Sequence, residues 1–237
     1  MHKKLIIIII VFIVIIGGGA GAWFYFSKAP DNGSGQKVIM EINPEELVIF
    51  EVKLDNLSDY QKDQAFKRFT NAKNTISQNK EDGLANEDNA NFYAWLEIAS
   101  VQKLIGDYDR AIKIWTWFTE IYSGNSISPA NLGDLYKSFV VDKEKSEKYY
   151  KIALEREKHD FQIYYGFYEL YRYVFDDADK AIAVLQDGMA NNPDRKDYLT
   201  ELINYLISLD RRDQASAVIE NWIAQHPEDF SLKARLQ

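Results

Sequence analysis

The chain has 237 residues and carries 36 acidic against 28 basic side chains, which gives a formal net charge of −8. An acidic balance without a basic cluster argues against nucleic-acid binding, because such proteins gather lysine and arginine against the phosphate backbone. The 46% of hydrophobic residues excludes disorder as the main state, and the absence of cysteine excludes disulfides, thiolate metal sites and cysteine nucleophiles.

The first predicted element is an apolar helix near the N-terminus. Residues 5–26 carry no charge, and as a helix they would extend about 33 Å, which is enough to cross a bilayer. Positive charge lies before this run and aromatic residues lie at its end, as is typical of a signal-anchor helix whose N-terminus is cytoplasmic. The sequence therefore predicts a single-pass membrane protein with a short cytoplasmic start at residues 1–4 and the bulk of the chain on the extracytoplasmic side.

Two features of this segment leave alternatives open. Ala20, Gly21 and Ala22 fit the cleavage site of a secretory signal, in which case the mature protein would be secreted and soluble. Against cleavage, the apolar stretch resumes immediately and continues to residue 26, so the uncleaved anchor is the favoured interpretation. Gly17 and Gly21 form a GxxxG pair, which allows either a homodimer through close helix contact or simply a loosened helix end.

Between the apolar helix and the region that follows, the chain changes character three times. Residues 27–37 have the composition of a flexible linker. Residues 38–56 hold two β-branched runs interrupted at Pro44, which predicts an irregular segment with either a pair of short strands or a short helix beginning at the proline. Residues 57–80 show the spacing of a hairpin helix and are predicted to pack as a helix on the structure that follows.

A repeat of about 34 residues dominates the rest of the sequence. Small residues recur at one repeat position, with spacings of 35, 35 and 34 residues, at Ala111, Ser146, Ala181 and Ala215. A large apolar residue follows each of them by four positions, at Trp115, Tyr150, Leu185 and Ile219. Two residues so spaced lie on one helix face, where the small one lets a neighbouring helix approach and the large one fills the space above it. The pattern predicts helical hairpins that must stack in order to bury their apolar faces.

These hairpins resemble the tetratricopeptide repeat family. The unit at residues 92–125 matches the family pattern best, through Trp95, Ile98, Ala99, Gly106, Tyr108 and Ala111. Further units follow at residues 126–161, 162–195 and 196–229, and residues 230–237 are predicted to form a C-terminal capping helix. The resemblance implies an all-α fold, a tetratricopeptide-type helical-hairpin solenoid preceded by one N-terminal transmembrane helix. Glu169 and Arg172 depart from the pattern, which has a small residue and an aromatic residue at these places.

The resemblance also implies where a partner would bind. In the family, the first helix of each hairpin lines a concave groove that holds a peptide or a partner helix. Carried over position by position, this protein-binding groove would comprise Tyr93, Leu96, Ser100, Lys103, Ile127, Ala130, Asp134, Lys137, Ile163, Gly166, Leu170, Tyr173, Asp197, Thr200, Asn204 and Ile207. Basic partners for a carboxylate clamp around Asn131 are missing, so an apolar or β-strand-like ligand is favoured.

Aromatic residues crowd the segment 161–175, so at least one ring is expected to face away from the core. Core filling is the favoured interpretation for Tyr165 and Tyr168. For Tyr173, core filling and partner binding both remain open, because tyrosine is enriched among the residues that dominate protein interfaces.

No catalytic constellation is present in the sequence. It contains no GxSxG, HExxH, P-loop or EF-hand motif, and its histidines have no second ligand at helical spacing. We therefore expect no catalytic, metal or cofactor site, and a protein that is not an enzyme. The leading hypothesis is a membrane-anchored tetratricopeptide scaffold or adaptor that binds a protein or peptide through its groove and binds no nucleic acid. The alternative is an accessory or assembly subunit of a larger cell-envelope complex.

Overall fold

The structure is a computed structural model, and it describes residues 44–79 and 90–236. Within these ranges the regular structure is helical, which confirms the predicted all-α class. The α-helices are α1 (Pro44–Leu47), α2 (Asp59–Gln78), α3 (Ala90–Leu104), α4 (Tyr108–Ile121), α5 (Ile127–Ser138), α6 (Lys143–Arg156), α7 (Phe161–Glu169), α8 (Ala178–Asn191), α9 (Lys196–Ser208) and α10 (Arg212–Gln225). A π-helical segment, Leu170–Phe175, continues α7, and a 3-10 segment, Pro227–Leu236, follows α10.

The segment predicted to span a membrane, residues 5–26, lies outside the described residues, as do the linker at 27–37 and the pair Gly17 and Gly21. Among the residues that are described, no helix has both the length and the apolar character needed to cross a bilayer. The anchor, its orientation and the homodimer therefore stay predictions.

The segment for which the sequence left two alternatives open begins the described chain. A short helix, α1, starts at Pro44, which was one of the two alternatives. A stretch without regular secondary structure, with a turn at residues 55–56, follows it up to residue 58. Among the described residues, this stretch forms no β-strand pairing with another segment. The helix predicted at residues 57–80 corresponds to α2, Asp59–Gln78.

The chain divides into two compact units, with the boundary after Ser123. The first unit contains α1 to α4, and α3 contacts both α2 and α4. Its interior is filled by large apolar residues of α3 and α4 that are at most 1% exposed: Phe92, Ile98, Ile114, Trp115 and Phe118.

The second unit, from Gly124 onward, contains the hairpins α5–α6, α7–α8 and α9–α10 together with the 3-10 segment. Each helix of this unit contacts the next one along the chain. The core is rich in tyrosine, and aromatic contacts join successive hairpins. The ring of Tyr164 lies edge-on to that of Tyr198 at 5.5 Å, and Tyr168 meets Tyr205 at 5.2 Å.

The pairs of small and large residues lie in the core, as their spacing predicted. Ala111, Ser146, Ala181 and Ala215 have no exposed surface, and the large residue that follows each of them is at most 2% exposed. Tyr150 shows why small residues are needed on the opposite helices. A Cβ at Gly133 of α5 would lie 3.0 Å from the Tyr150 ring, and one at Gly166 of α7 would lie 2.6 Å from its hydroxyl.

Each hairpin turns through a residue with a positive φ at the same repeat position. These residues are Gly106 (φ +86°), Val141 (+56°), Asp176 (+54°) and Asp210 (+57°). The left-handed conformation suits glycine and is tolerated by aspartate, but a β-branched side chain disfavours it. The spacings of 35, 35 and 34 residues therefore recur in the backbone as well as in the side chains.

Candidate functional site

The predicted groove residues are divided between the two units. In the first unit, Tyr93 is 55% exposed, Ser100 and Lys103 are half-buried, and Leu96 is buried. In the second unit, the exposed members are Ile127, Tyr173, Asp197, Thr200 and Asn204, the half-buried ones are Ala130, Asp134, Lys137, Gly166 and Ile207, and the buried ones are Ile163 and Leu170.

The burial of three predicted groove residues is a correction to the sequence-based assignment. Leu96, Ile163 and Leu170 are at most 7% exposed, so their side chains belong to the core and not to a binding surface. The physical reason is that each of these helices packs against more than one neighbour, since α7 contacts both α8 and α5 and α3 contacts both α2 and α4. The apolar stripe of such a helix is therefore wider than one helix face.

Charged side chains join consecutive first helices across the second unit. We use the term first-helix face for the exposed and half-buried surface of α5, α7 with its π-helical continuation, and α9. Lys137 Nζ on α5 lies 2.6 Å from Glu169 Oε2 on α7 and 3.6 Å from Asp134 Oδ1. Arg172 Nη1 lies 3.6 Å from Glu201 Oε1 on α9. Because Lys137 and Arg172 are 35 residues apart, the two ion pairs repeat along the face with the period of the hairpins.

Arg172 is surrounded by tyrosine rings. Its Cζ atom lies 5.7 Å from the ring centroid of Tyr168, 4.8 Å from that of Tyr173 and 4.7 Å from that of Tyr205, within the range of cation–π attraction. Its Nη1 also donates a hydrogen bond to the Tyr168 hydroxyl. Burial raises the pKa of Tyr168, so this hydroxyl stays protonated and neutral at physiological pH. The rings therefore fix the guanidinium in one position at the surface.

Tyr173 is the aromatic residue for which the sequence left both alternatives open, and its side chain is exposed. It is 65% exposed, whereas Tyr168 has no exposed surface and Tyr165 is half-buried. Tyr173 belongs to the π-helical segment, which ends at Asp176 in the left-handed conformation. π-Helical turns occur preferentially at functional sites, where they change the direction of side chains.

Sequence reasoning singled out part of this face and missed the rest. Glu169 and Arg172 were noticed only as departures from the family pattern, and Glu201 was not singled out. Their signal was present in the sequence, because a charged residue at a position that the pattern reserves for a small or aromatic side chain becomes partly buried and needs a partner of opposite charge. Which residue supplies that partner depends on the packing of the next hairpin.

A concave feature lies between α6, α7 and α8 of the same unit. A cavity of about 230 Å³ is lined by Leu154 of α6, Phe167 of α7 and Val184 of α8, with Lys151 and Lys180 also contributing to its lining. Two tyrosine hydroxyls donate to acidic side chains nearby, Tyr164 to Asp187 and Tyr171 to Glu147. In the part of the chain that the structure describes, no three histidine, aspartate or glutamate side chains are placed to hold a metal ion.

No protein-family model matches the chain, and no curated protein matches it. Solved structures do resemble it. A tetratricopeptide repeat protein from Parabacteroides merdae is 15% identical and aligns with 79% of this chain and 68% of its own, at a TM-score of 0.49. A thermophilic TPR protein of Thermus thermophilus is 18% identical and aligns with 75% of this chain and 91% of its own, at a TM-score of 0.48.

YrrB, described as a TPR protein with an unusual peptide-binding site, is 15% identical and aligns with 66% of this chain and 75% of its own, at a TM-score of 0.45. All three TM-scores fall below 0.5. These likenesses concern the helical-repeat fold alone, and they assign no activity or partner to this chain.

Proposed function

We propose that the chain is a membrane-anchored tetratricopeptide-type scaffold, without enzymatic activity, that binds another protein on the extracytoplasmic side through the first-helix face. The observation that carries this proposal is the exposed ring of Tyr173 beside the fixed guanidinium of Arg172. Tyrosine and arginine dominate the energetics of protein interfaces, because both bury a large area and offer a polar end. A preorganised pair also loses little side-chain entropy when a partner binds.

The chemistry of the face favours an extended segment as the partner. Tyr173, Ile127 and Ile207 offer apolar contact area, and the Thr200 hydroxyl can hydrogen-bond to a peptide backbone. The cations at this face already have acidic neighbours: Glu169 for Lys137, Glu201 for Arg172 and Asp229 for Lys196. A free carboxylate would have to compete with these neighbours, so the face is poorly suited to a terminal carboxylate.

A pull-down from cells that make the full-length tagged chain tests the binding face. The change Tyr173→Ala removes the exposed ring of the π-helical segment. We expect at least a tenfold loss of the captured partner, because a truncated hot-spot tyrosine costs about 2 kcal/mol or more. The matched control is Tyr60→Ala, which removes a ring that is 73% exposed on α2. If all captured proteins survive the change Tyr173→Ala, the face is assigned wrongly.

The membrane anchor is a separate part of the proposal and rests on the uncharged run at residues 5–26. Mass spectrometry of the mature N-terminus separates the anchor from a cleaved signal. We expect the initial residues to be retained and the chain to stay with the membrane fraction after alkaline extraction. A mature protein that begins after Ala22 and is released into the soluble fraction would contradict the anchor.

The second candidate function is an accessory or assembly subunit of a larger complex, and the cavity between α6, α7 and α8 favours it. In that case the second helices α6 and α8 would form the contact with the neighbouring subunit. Solubilisation in mild detergent followed by native sizing distinguishes the two functions. A scaffold with an exchangeable partner appears partly alone, whereas a constitutive subunit elutes only in the larger assembly.

A further inference from the structure

The first unit holds an extended segment of its own chain against α3 and α4. We call residues 44–56, which comprise α1 and most of the stretch that follows it, the strap. The residues that hold it form the strap site: Gln102, Ile105, Gly106, Asp107 and Arg110. All of them lie in the first unit.

Main-chain atoms of the strap are recognised directly. Gln102 Nε2 donates hydrogen bonds to the carbonyl oxygens of Leu47 at 3.2 Å and Ile49 at 2.8 Å. The amide of Lys53 donates to the carbonyl oxygen of Ile105 at 2.8 Å. Such contacts do not depend on side-chain identity, and they are the means by which proteins bind extended peptides.

Side chains of the strap add selectivity. Leu47 is 3% exposed. Lys53 Nζ lies 3.0 Å from Asp107 Oδ1, and the Asp107 side chain is fully buried and is also paired with Arg110. A buried carboxylate requires a cationic partner, so the site favours a segment with a lysine six residues after a buried leucine.

Side-chain exposure also alternates along the strap, as it does in an extended peptide bound to a protein surface. Val48, Phe50, Val52 and Leu54 are half-buried, while Ile49, Glu51 and Lys53 between them are exposed. The ring of Phe50 meets Phe66 and Phe69 of α2 at 5.3 and 5.4 Å. Every second side chain therefore faces the helices, with the period of an extended chain.

The strap leaves one part of its site unsatisfied. Gln102 is fully buried, and its Oε1 atom has no hydrogen-bond partner among the described residues. Both strap contacts use the amide nitrogen of Gln102, so its oxygen remains free to accept a backbone N–H. A segment with a backbone N–H within reach of this oxygen would satisfy both ends of the side-chain amide. The strap satisfies only the nitrogen end, so it is an imperfect occupant of the site.

We propose that the strap site is a peptide-binding site occupied in cis, and that it receives an extended segment of another protein when the strap leaves. The segment carries apolar side chains at alternate positions and a lysine six residues after a buried leucine. The strap itself shows this chemistry. The site lies on a different unit from the first-helix face, so it goes beyond the proposed function and can fail independently of it.

Hydrogen exchange in the unchanged full-length protein tests whether the strap leaves. The Lys53 amide is bonded to Ile105 across the strap contact, whereas the Ile105 amide is bonded to the Val101 carbonyl near the end of α3. We expect the Lys53 amide to exchange at least tenfold faster than the Ile105 amide, because strap release does not require α3 to open. Equal exchange of the two amides would mean that the strap opens only with the helix, and would overturn the proposal.

Peptide binding to the full-length chain tests the occupant. The probe is a fluorescein-labelled peptide of residues 44–56. The loosened chain carries Leu47→Ala and Leu54→Ala, and the control chain carries Ile49→Ala and Asp55→Ala at exposed strap positions. We expect the loosened chain to bind at least tenfold more tightly than the control chain, because a competing internal segment lowers apparent affinity by the fraction of open sites. Circular dichroism verifies that both chains remain helical.

A second peptide with Lys53→Glu checks that binding uses the buried Asp107. It should bind the loosened chain at least tenfold more weakly than the original peptide. The proposal is overturned if the two peptides bind equally, if loosening brings no gain in affinity, or if the loosened chain dimerises and excludes the peptide. The last result would assign the site to the strap of a second copy.

Discussion

Val141 occupies a backbone conformation that its side chain disfavours. Its φ of +56° lies in the left-handed region, where the equivalent residue of the first hairpin is Gly106. Val141 is 69% exposed, so packing of its side chain offsets little of the cost of this conformation. A residue held in this region typically costs about 1–3 kcal/mol.

Replacing Val141 with glycine should stabilise the protein. We expect Val141→Gly to raise the free energy of unfolding by about 1 kcal/mol, because the relief of strain exceeds the entropy that glycine loses on folding. The measurement is urea unfolding followed by far-ultraviolet circular dichroism. Asp176→Gly is the matched control at the same repeat position, and its gain should be smaller because aspartate tolerates the left-handed region. A Val141→Gly protein no more stable than the parent would contradict this explanation.

At the residue scale, the sequence predicted burial better than exposure. The small-to-large pairs, such as Ala181 with Leu185, could be predicted because i and i+4 residues share a helix face. The groove could be predicted only in part, because the family pattern does not say how far the apolar stripe extends around a first helix. Leu170 and Tyr173 were assigned to one surface, yet one is fully buried and the other is mostly exposed.

At the element scale, α2 begins with a complete N-terminal capping box. The Ser58 hydroxyl accepts from the Gln61 amide at 3.3 Å, and the Gln61 side chain accepts from the Ser58 amide at 2.9 Å. This capping box satisfies two backbone N–H groups that would otherwise lack partners at the helix start.

Removing this cap should weaken the first unit. We expect Ser58→Ala to lower the free energy of unfolding by about 1 kcal/mol, which is typical of a lost N-cap. The control is Ser77→Ala near the end of the same helix. This change should alter stability by less than about 0.5 kcal/mol, because Ser77 is exposed and, among the described residues, its hydroxyl bonds to the Lys73 carbonyl within the helix. Thermal melting of both variants checks this, and equal effects of the two changes would refute a capping role.

Two elements could not be predicted from sequence for identifiable reasons. The strap alternates like a β-strand, but its hydrogen bonds go to Gln102 and Ile105 of the α3 hairpin, and no local pattern reveals such a partner. The π-helical segment Leu170–Phe175 continues a first helix, and its residues carry no local signal for the change to π-helical hydrogen bonding.

At the scale of the whole molecule, the core depends on neutral tyrosines. Burial raises the pKa of Tyr198 to about 12 and raises that of Tyr150, Tyr164, Tyr168 and Tyr171 as well. In the unfolded chain the pKa of these phenols is about 10. Because the pKa of each buried tyrosine is higher in the folded state, the neutral rings contribute their full stability below about pH 10. This stability is lost as the pH rises through the pKa values of the folded state.

We therefore expect the melting temperature to fall steeply as the pH rises from about 10 to 12. Melting curves recorded across this range, with tyrosine ionisation followed by ultraviolet absorbance, check the expectation. Ionisation and loss of helix should occur together. Complete tyrosine ionisation in a chain that remains fully helical would show that the buried rings are not essential to the core.

Site-specific photo-crosslinking in intact cells tests the central claim, that the first-helix face binds another protein, most directly. A photoreactive amino acid is placed at Tyr173 or Thr200 on this face, and at Glu155 or Gln186, which are exposed on the second helices α6 and α8. We expect the positions on the first-helix face to yield adducts with one common protein and the positions on α6 and α8 to yield none with it. Adducts with a common protein at Glu155 and Gln186, and none at Tyr173 and Thr200, would contradict the claim.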